Sequence, residues 1–272
     1  MSTSYIHGTS PTEQQRLSRM QELLNAAELA QLELGGVRRL VDFGSGLGQM
    51  TRAFARTLGA GARVVGIERD ERQLATARVL AEAAGEAALA ELRGGDAEAP
   101  PLAAEEQASF DLAHARFLLE HVPDPLAVVR AMVAAVRPGG RVVLVDDDHE
   151  LLRLWPASPP LEEVWRLYWE SYRDRGTDPL VGRRLAELLL AAGAEPCRAT
   201  TIFFGATRGS ERFDLVVENL RGVLDGAAAE LASSGRVPRE QMNDALRALE
   251  TWRQGAHATI WYSIPLVEGR RR

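Results

Sequence analysis

The feature that most constrains this chain is a change of hydrophobic period that repeats. Between Val37 and Asp148, apolar runs of strand length alternate with stretches of helical length. Strands are predicted at Arg39–Phe43, Arg63–Glu68, Ala88–Arg93, Phe110–Ala115 and Arg141–Asp146, and helices at Gln49–Leu58, Asp70–Ala84 and Pro125–Val136. Short apolar strands separated by helices argue for a parallel sheet covered on both faces. Right-handed crossovers then place the carboxyl ends of these strands on one edge. Ahead of them, Ser10-Pro11-Thr12-Glu13 has the residues of a helix start, and the helix is expected to run through Leu32 to Gly35-Gly36. After Asp148 the alternation stops. Helices are expected at Leu161–Arg173 and Pro179–Ala192, a sixth strand at Arg198–Phe204 and a seventh at His257–Ile264. Between the last two strands lies a helical insertion, Ser210–Gln254, broken near Ser233-Ser234-Gly235. The expectation is one domain: a lid (1–36), a core (37–148), cap segments (149–178 and 209–256) and the rest of the core (179–208 and 257–272).

Composition narrows the partners. The 272 residues are 46% hydrophobic and 26% charged, as in an ordinary globular protein. A net charge of −6 gives no electrostatic case for nucleic acid as the main partner. The single cysteine, Cys197, excludes an intrachain disulfide and a thiolate metal cluster, and reads as a small buried residue in a strand. Met1 to Gly8 has no basic segment followed by an apolar run, and no stretch reaches about 18 apolar residues. A cytoplasmic protein without a membrane partner is expected. Arg270, Arg271 and Arg272 read as a solvated tail.

The segment Val41-Asp42-Phe43-Gly44-Ser45-Gly46-Leu47-Gly48-Gln49-Met50 joins the first strand to the first crossover helix. Alternate glycines here let backbone bend at positive φ and pass close to a ligand, beside a helix N-terminus. A dinucleotide fingerprint would place its third glycine at the sixth position, where this chain has Gln49. Glu68, about twenty residues past the glycines at a strand end, can accept two ribose hydroxyls and disfavours a 2′-phosphate.

Six pieces occur together in order: the glycine segment, Gly66-Ile67-Glu68-Arg69, Gly95-Asp96-Ala97-Glu98, Phe110-Asp111-Leu112, Glu120-His121-Val122-Pro123-Asp124-Pro125 and Arg137-Pro138-Gly139-Gly140. In this combination the chain resembles the class I S-adenosylmethionine-dependent methyltransferases, in particular the small-molecule branch that includes ubiquinone- and menaquinone-biosynthesis enzymes. The resemblance implies an α/β, Rossmann-like, seven-stranded and mostly parallel sheet whose last strand is antiparallel, with helices on both faces, an N-terminal helix and an inserted helical cap. It implies S-adenosyl-L-methionine as cofactor. Gly44, Ser45, Gly46 and Gly48 would approach the amino-acid part, and Asp42 would reach the ammonium directly or through water. Glu68 would hold the ribose, the Arg69 stem would cover the adenine, and Gln73 would border it. Asp96 would meet the adenine amino group with the Ala97 N–H beside the ring. Backbone at Ala115 and Arg116 would line the methionine portion. Tyr5 and His7 would fold over the cofactor carboxylate or belong to a free tail.

On the acceptor side the most chemically loaded run is Asp146-Asp147-Asp148-His149-Glu150. A carboxylate there could take a proton from an acceptor hydroxyl or hold an amine in line. Asp146 and Asp147 are therefore catalytic candidates, with His121 beside them. The same run could hold a divalent cation, but no second ligand cluster is evident, so no metal is expected. The plainer alternative is an acidic loop containing a helix cap. Trp155, Trp165, Tyr168, Trp169 and Tyr172 read mostly as packing, with one or two facing an apolar or aromatic substrate. The expected reaction is methyl transfer to O, N or C of a small metabolite. The alternatives are an NAD-type oxidoreductase, disfavoured by Gln49, and a non-catalytic adenosylmethionine-binding protein.

Overall fold

The computed structural model describes residues 11–272, with side chains from residue 20 onward. Tyr5 and His7 lie outside the described residues. In chain order the strands are β1 Arg39–Phe43, β2 Arg63–Glu68, β3 Glu91–Gly94, β4 Phe110–Arg116, β5 Val136–Val145, β6 Arg153–Trp155, β7 Ala194–Phe203, β8 Ala206–Thr207, β9 Thr259–Trp261 and β10 Ser263–Arg271. The helices are α1 Pro11–Leu29, α2 Gln49–Leu58, α3 Glu71–Ala83, α4 Pro125–Ala135, α5 Pro159–Asp174, α6 Leu185–Ala191, α7 Phe213–Ser233 and α8 Arg239–Arg253. The chain divides into two compact units. A sheet unit holds residues 25–148, 180–202 and 264–272, and a helical unit holds 149–179, 203–263 and the described part of α1 up to Leu24.

In the sheet unit seven strands lie in the order β3-β2-β1-β4-β5-β10-β7. β3, β2, β1, β4 and β5 pair parallel, and β10 joins β5 antiparallel. The inner strands are apolar because both faces are covered: Leu40, Val41, Phe43, Leu112, Ala113, Val142, Val143 and Leu144 are all fully buried. Two crossover helices start on aspartate caps. Asp70 accepts from Arg72 N and Gln73 N ahead of α3, and Asp124 accepts from Ala127 N ahead of α4. The expected fold class is the one observed.

Several boundaries moved, each for a local reason. β3 begins at Glu91, because Glu86 to Ala90 form a turn in which Leu89 N donates to Glu86 O. β5 begins at Val136, which pairs with Phe110 before the register shifts, so the Arg137-Pro138-Gly139-Gly140 turn is a bulge within the strand. The region expected as one seventh strand is divided at Tyr262: β9 joins a small sheet, and β10 carries on through Arg271. Arg270 pairs with Arg141, and the Arg271 guanidinium donates to Ala134 O and Val136 O, so these arginines belong to a strand and not to a tail. Cys197 is exposed on β7, its Sγ 3.5 Å from Glu268 O, contrary to the buried position expected of it. α6 is shorter than expected, because a 3-10 turn, Val181–Arg184, precedes it.

The helical unit packs α5, α7 and α8 with a three-stranded sheet, β6-β9-β8. α5 buries Leu161, Val164, Trp165, Tyr168, Trp169 and Tyr172, at spacings of three and four that put one face inward. The small sheet was not anticipated. It buries Leu154, Ile260 and Ala206 on one face and turns Trp155 outward, 69% exposed, against the packing role expected for it. Among the described residues no helix is long and apolar enough to cross a membrane.

Candidate active site

The strand-to-helix junction after β1 is built from backbone conformations that side chains resist. Gly44, Gly46 and Gly48 have φ of +67°, +53° and +68°, in the left-handed region. A Cβ on Gly44 would also lie 2.9 Å from Leu118 Cδ1. Gly66 on β2 lets the turn lie close, since a Cβ there would sit 3.0 Å from the Ser45 side chain. Ser45 Oγ is buried without a hydrogen-bond partner among the described residues. Unlike α3 and α4, α2 starts without a side-chain cap, so the helix behind the glycine turn has no side chain competing for its first N–H groups.

Glu68 closes this turn. Its Oε2 accepts from Gly46 N at 2.9 Å and its Oε1 from Asp70 N at 2.8 Å, with the residue 8% exposed. The side chain therefore sits between the glycines and the start of α3. Gln73, half-buried on the first turn of α3, brings its Oε1 to 3.3 Å from where a Gly46 Cβ would stand. Arg69 is exposed beside it. Asp96, beyond β3, is exposed and uses Oδ1 to accept from Glu98 N, while Ala97 is buried. Ala115 and Arg116 end β4 next to β1.

Two acids do something other than expected. Asp42 was assigned to a cofactor ammonium, but it is 2% exposed, with Oδ1 2.7 Å from His114 Nδ1 and Oδ2 accepting from Thr51 Oγ1 at 2.5 Å. Both oxygens are committed inside the protein. Asp146 was a catalytic candidate, yet it is fully buried: Oδ2 accepts from Leu118 N at 3.0 Å and Leu119 N at 2.7 Å, and Oδ1 from Asp147 N at 3.0 Å. Burial, then the nearby Glu120 and Asp147 carboxylates, push its carboxyl well above the usual range, and the N–H groups of Leu119 and Asp147 oppose them. This geometry makes Asp146 the brace for the segment after β4, and Leu118 in turn packs over Gly44. Gly182 completes the brace by donating to Asp147 O at 2.9 Å, and a Cβ there would lie only 2.8 Å from Asp146 O and Asp147 O. Asp147 is partly exposed, and His121 is 39% exposed at the side chain with Nε2 3.4 Å from Glu120 Oε1. Asp111, at the other end of β4, accepts from Arg38 N and Arg39 N and pairs with Arg137, stapling the edge opposite the glycine turn.

Phe117 escaped sequence reasoning. It follows β4 with φ of +51°, held by its N–H to Val145 O, and its ring lies 5.6 Å from the Arg116 guanidinium carbon. Bulky residues seldom adopt this conformation, and such strain collects at functional sites. No residue pattern marks it. His114 was also missed, because a histidine in an apolar strand carries no period of its own.

In the helical unit, His149 is buried among the rings of Trp165, Tyr168 and Tyr172, with centroids 5.4–5.8 Å away. Trp165 Nε1 donates to His149 O at 2.8 Å, and the Tyr168 and Tyr172 hydroxyls are 2.9 Å apart. Trp165 and Tyr262 also line a narrow pocket closed by Leu152, Phe204, Leu220 and Ile260.

Comparison with known proteins bears on the family and the fold. A family model described as a methyltransferase domain matches residues 13–197. A ubiquinone biosynthesis O-methyltransferase from Ralstonia nicotianae is 42% identical over 105 residues, 39% of this chain and 41% of that one. The chain thus matches about two fifths of that relative's length. The solved geranyl diphosphate C-methyltransferase of Streptomyces coelicolor A3(2), in complex with Mg2+, geranyl diphosphate and S-adenosyl-L-homocysteine, superposes with a TM-score of 0.56 at 13% identity, over 97% of this chain and 84% of that one. The [4+2]-cyclase SpnF gives 0.56 at 20% identity, over 92% and 80%. Identities this low establish likeness of fold, whereas the family model covers well over half of the chain. On that match, and on a strand order and glycine turn that accord with it, the chain belongs to the class I S-adenosylmethionine-dependent methyltransferases.

Proposed function

We infer that this protein transfers the methyl group of S-adenosylmethionine to O, N or C of a small apolar or aromatic acceptor. The observation that carries the reading is the Glu68 carboxylate lying across a turn of three left-handed glycines, bonded to Gly46 N and Asp70 N. An acid able to exchange those two backbone donors for a ribose diol stands beside backbone that no Cβ shields. The uncapped start of α2 and the orphaned Ser45 Oγ are further polar groups suited to the amino-acid end.

Bound there, the sulfonium supplies an activated methyl and its own leaving group. The protein's share is alignment and exclusion of water. Glu68 holds the ribose, the backbone of Gly44, Ser45, Gly46 and Gly48 faces the amino-acid end, and Asp96 with Ala97 N meets the adenine between Arg69 and Gln73. Main chain at Ala115 and Arg116 lies along the methionine portion. Asp146 keeps Leu118 over the glycine turn, which leaves Asp147 and His121 as the candidates for moving an acceptor proton. The apolar and aromatic lining of the helical unit favours an acceptor with little charge.

Fold alone does not fix the reaction, since a [4+2]-cyclase shares this one. The test is therefore twofold. Calorimetric titration should give binding of S-adenosylhomocysteine and none of NAD+, and labelled methyl from S-adenosylmethionine should enter a metabolite extract. NAD+ binding without S-adenosylhomocysteine binding would overturn the reading, and cofactor binding with no transfer across varied extracts would favour a non-methylating protein.

A further inference from the structure

We propose that His114 is a positioning residue that couples the last turn of α1 to the glycine turn, holding both through the two nitrogens of one ring. The proposal rests on the reading of that turn as the cofactor site.

His114 lies on β4 with no exposure, directly beside Asp42 of β1 in the pairing register. Nδ1 is 2.7 Å from Asp42 Oδ1 and Nε2 is 2.6 Å from Glu28 Oε1 on α1. Ionised carboxylates only accept, so a ring that satisfies one at each nitrogen carries hydrogen on both and is an imidazolium. Each carboxylate then reaches further. Asp42 Oδ2 accepts from Thr51 of α2, so strand and helix on either side of the glycine turn meet at one side chain. Glu28 Oε2 accepts from Arg116 at 2.8 Å, and the same guanidinium donates to Asn25 Oδ1 at 2.7 Å, which ties Asn25 and Glu28 of α1 to the strand end expected to line the methionine portion.

The groups facing the ring are Glu28 from α1, Asp42 from β1, the Phe54 ring from α2 at 4.9 Å edge-on, Val143 across from it on β5, and Arg116 on its own strand through Glu28. Two anions and two cations therefore balance in a buried setting. Burial alone would lower the His114 pKa, but the Glu28 charge and the bonds to Asp42 and Glu28 outweigh it and raise it to about 9. Removing one proton would leave a single N–H for two carboxylates, so either Asp42, at the root of the glycine turn, or Glu28 would lose its ring donor. None of these side chains needs to touch the cofactor for its position to matter. The ring acts through Asp42.

The two arms can be cut separately. Asparagine places its amide nitrogen near the Nδ1 position, within reach of Asp42, whereas glutamine places it near Nε2, within reach of Glu28. Binding of S-adenosylhomocysteine is measured by calorimetry, with thermal melting alongside. His114→Gln should weaken binding by about tenfold and His114→Asn by about threefold. Glu28→Gln, remote from the turn in sequence, should weaken it by about threefold in the natural protein and not further in His114→Asn, where that arm is already cut. Losses that are equal in the two His114 variants and simply follow their melting temperatures, affinity unchanged in both, or additive losses in the Glu28→Gln, His114→Asn pair would each overturn the proposal. If His114→Gln fails to fold, the additivity measurement alone decides. A natural protein that binds no S-adenosylhomocysteine would overturn the cofactor reading instead, and with it the premise of the coupling.

Discussion

His114 and His149 are both buried imidazoles, and within their own units they are held by different kinds of neighbour. His114, in the sheet unit, has a carboxylate at each nitrogen within 2.7 Å. His149, in the helical unit, sits among indole and phenol rings, and its carbonyl is held by Trp165. Charge-assisted bonds fix atoms to a few tenths of an ångström, whereas ring packing fixes volumes and tolerates exchange of one apolar shape for another.

The comparison breaks first at its most highly charged point. Asp42→Asn removes one partner from a buried set of charges and should destabilise the fold by about 3 kcal/mol or more in urea unfolding; a change below about 1 kcal/mol would mean the network does not hold the turn. Next comes Glu68→Ala, expected to weaken S-adenosylhomocysteine binding by about 1.5–3 kcal/mol with the fold intact, and unchanged affinity would remove Glu68 from the cofactor site. pH offers a third handle. Folding raises the His114 pKa from 6.5 to about 9, so its contribution to stability is complete below pH 6.5 and is lost as pH climbs through 9. The melting temperature should fall across that window, and His114→Asn should flatten the fall. In the helical unit, Trp165→Phe gives up the bond to His149 O and should cost about 1–2 kcal/mol in stability while leaving cofactor affinity alone. A shifted cofactor affinity would blur the distinction between the two units. Smallest of all, Arg166→Ala on the outer face of α5 should leave the urea unfolding midpoint where it is, although the side chain pairs with both Glu163 and Glu170, because exposed ion pairs are screened by solvent.

The sheet unit was largely legible in the sequence because its rules act over short distances. Strand burial, the Asp70 and Asp124 caps and the glycine turn each depend on residues within a few positions of one another. What stayed hidden depends on residues far apart. Asp42 and His114 are 72 positions apart and His114 and Glu28 are 86, so the carboxylate that looked available to a ligand was already engaged. Asp146 shows the same lesson: an aspartate after a strand resembles a base until the N–H groups of Leu118 and Leu119 claim it. The small β6-β9-β8 sheet went unread because its strands are two or three residues long, too short for any period to register.

One consequence follows from where β10 lies. It separates β5 from β7 in the sheet, yet the ribosome makes it after β7, α7, α8 and β9. During synthesis β7 therefore has no strand to pair with on its inner side until those later segments have emerged. β5 meanwhile shows an open apolar edge to the cell. Slow passage through α7 and α8, by rare codons or by a stalled fold, would lengthen the time that edge can capture another chain. For this protein, soluble yield should depend on how quickly the last strand arrives as much as on how stable the finished sheet is.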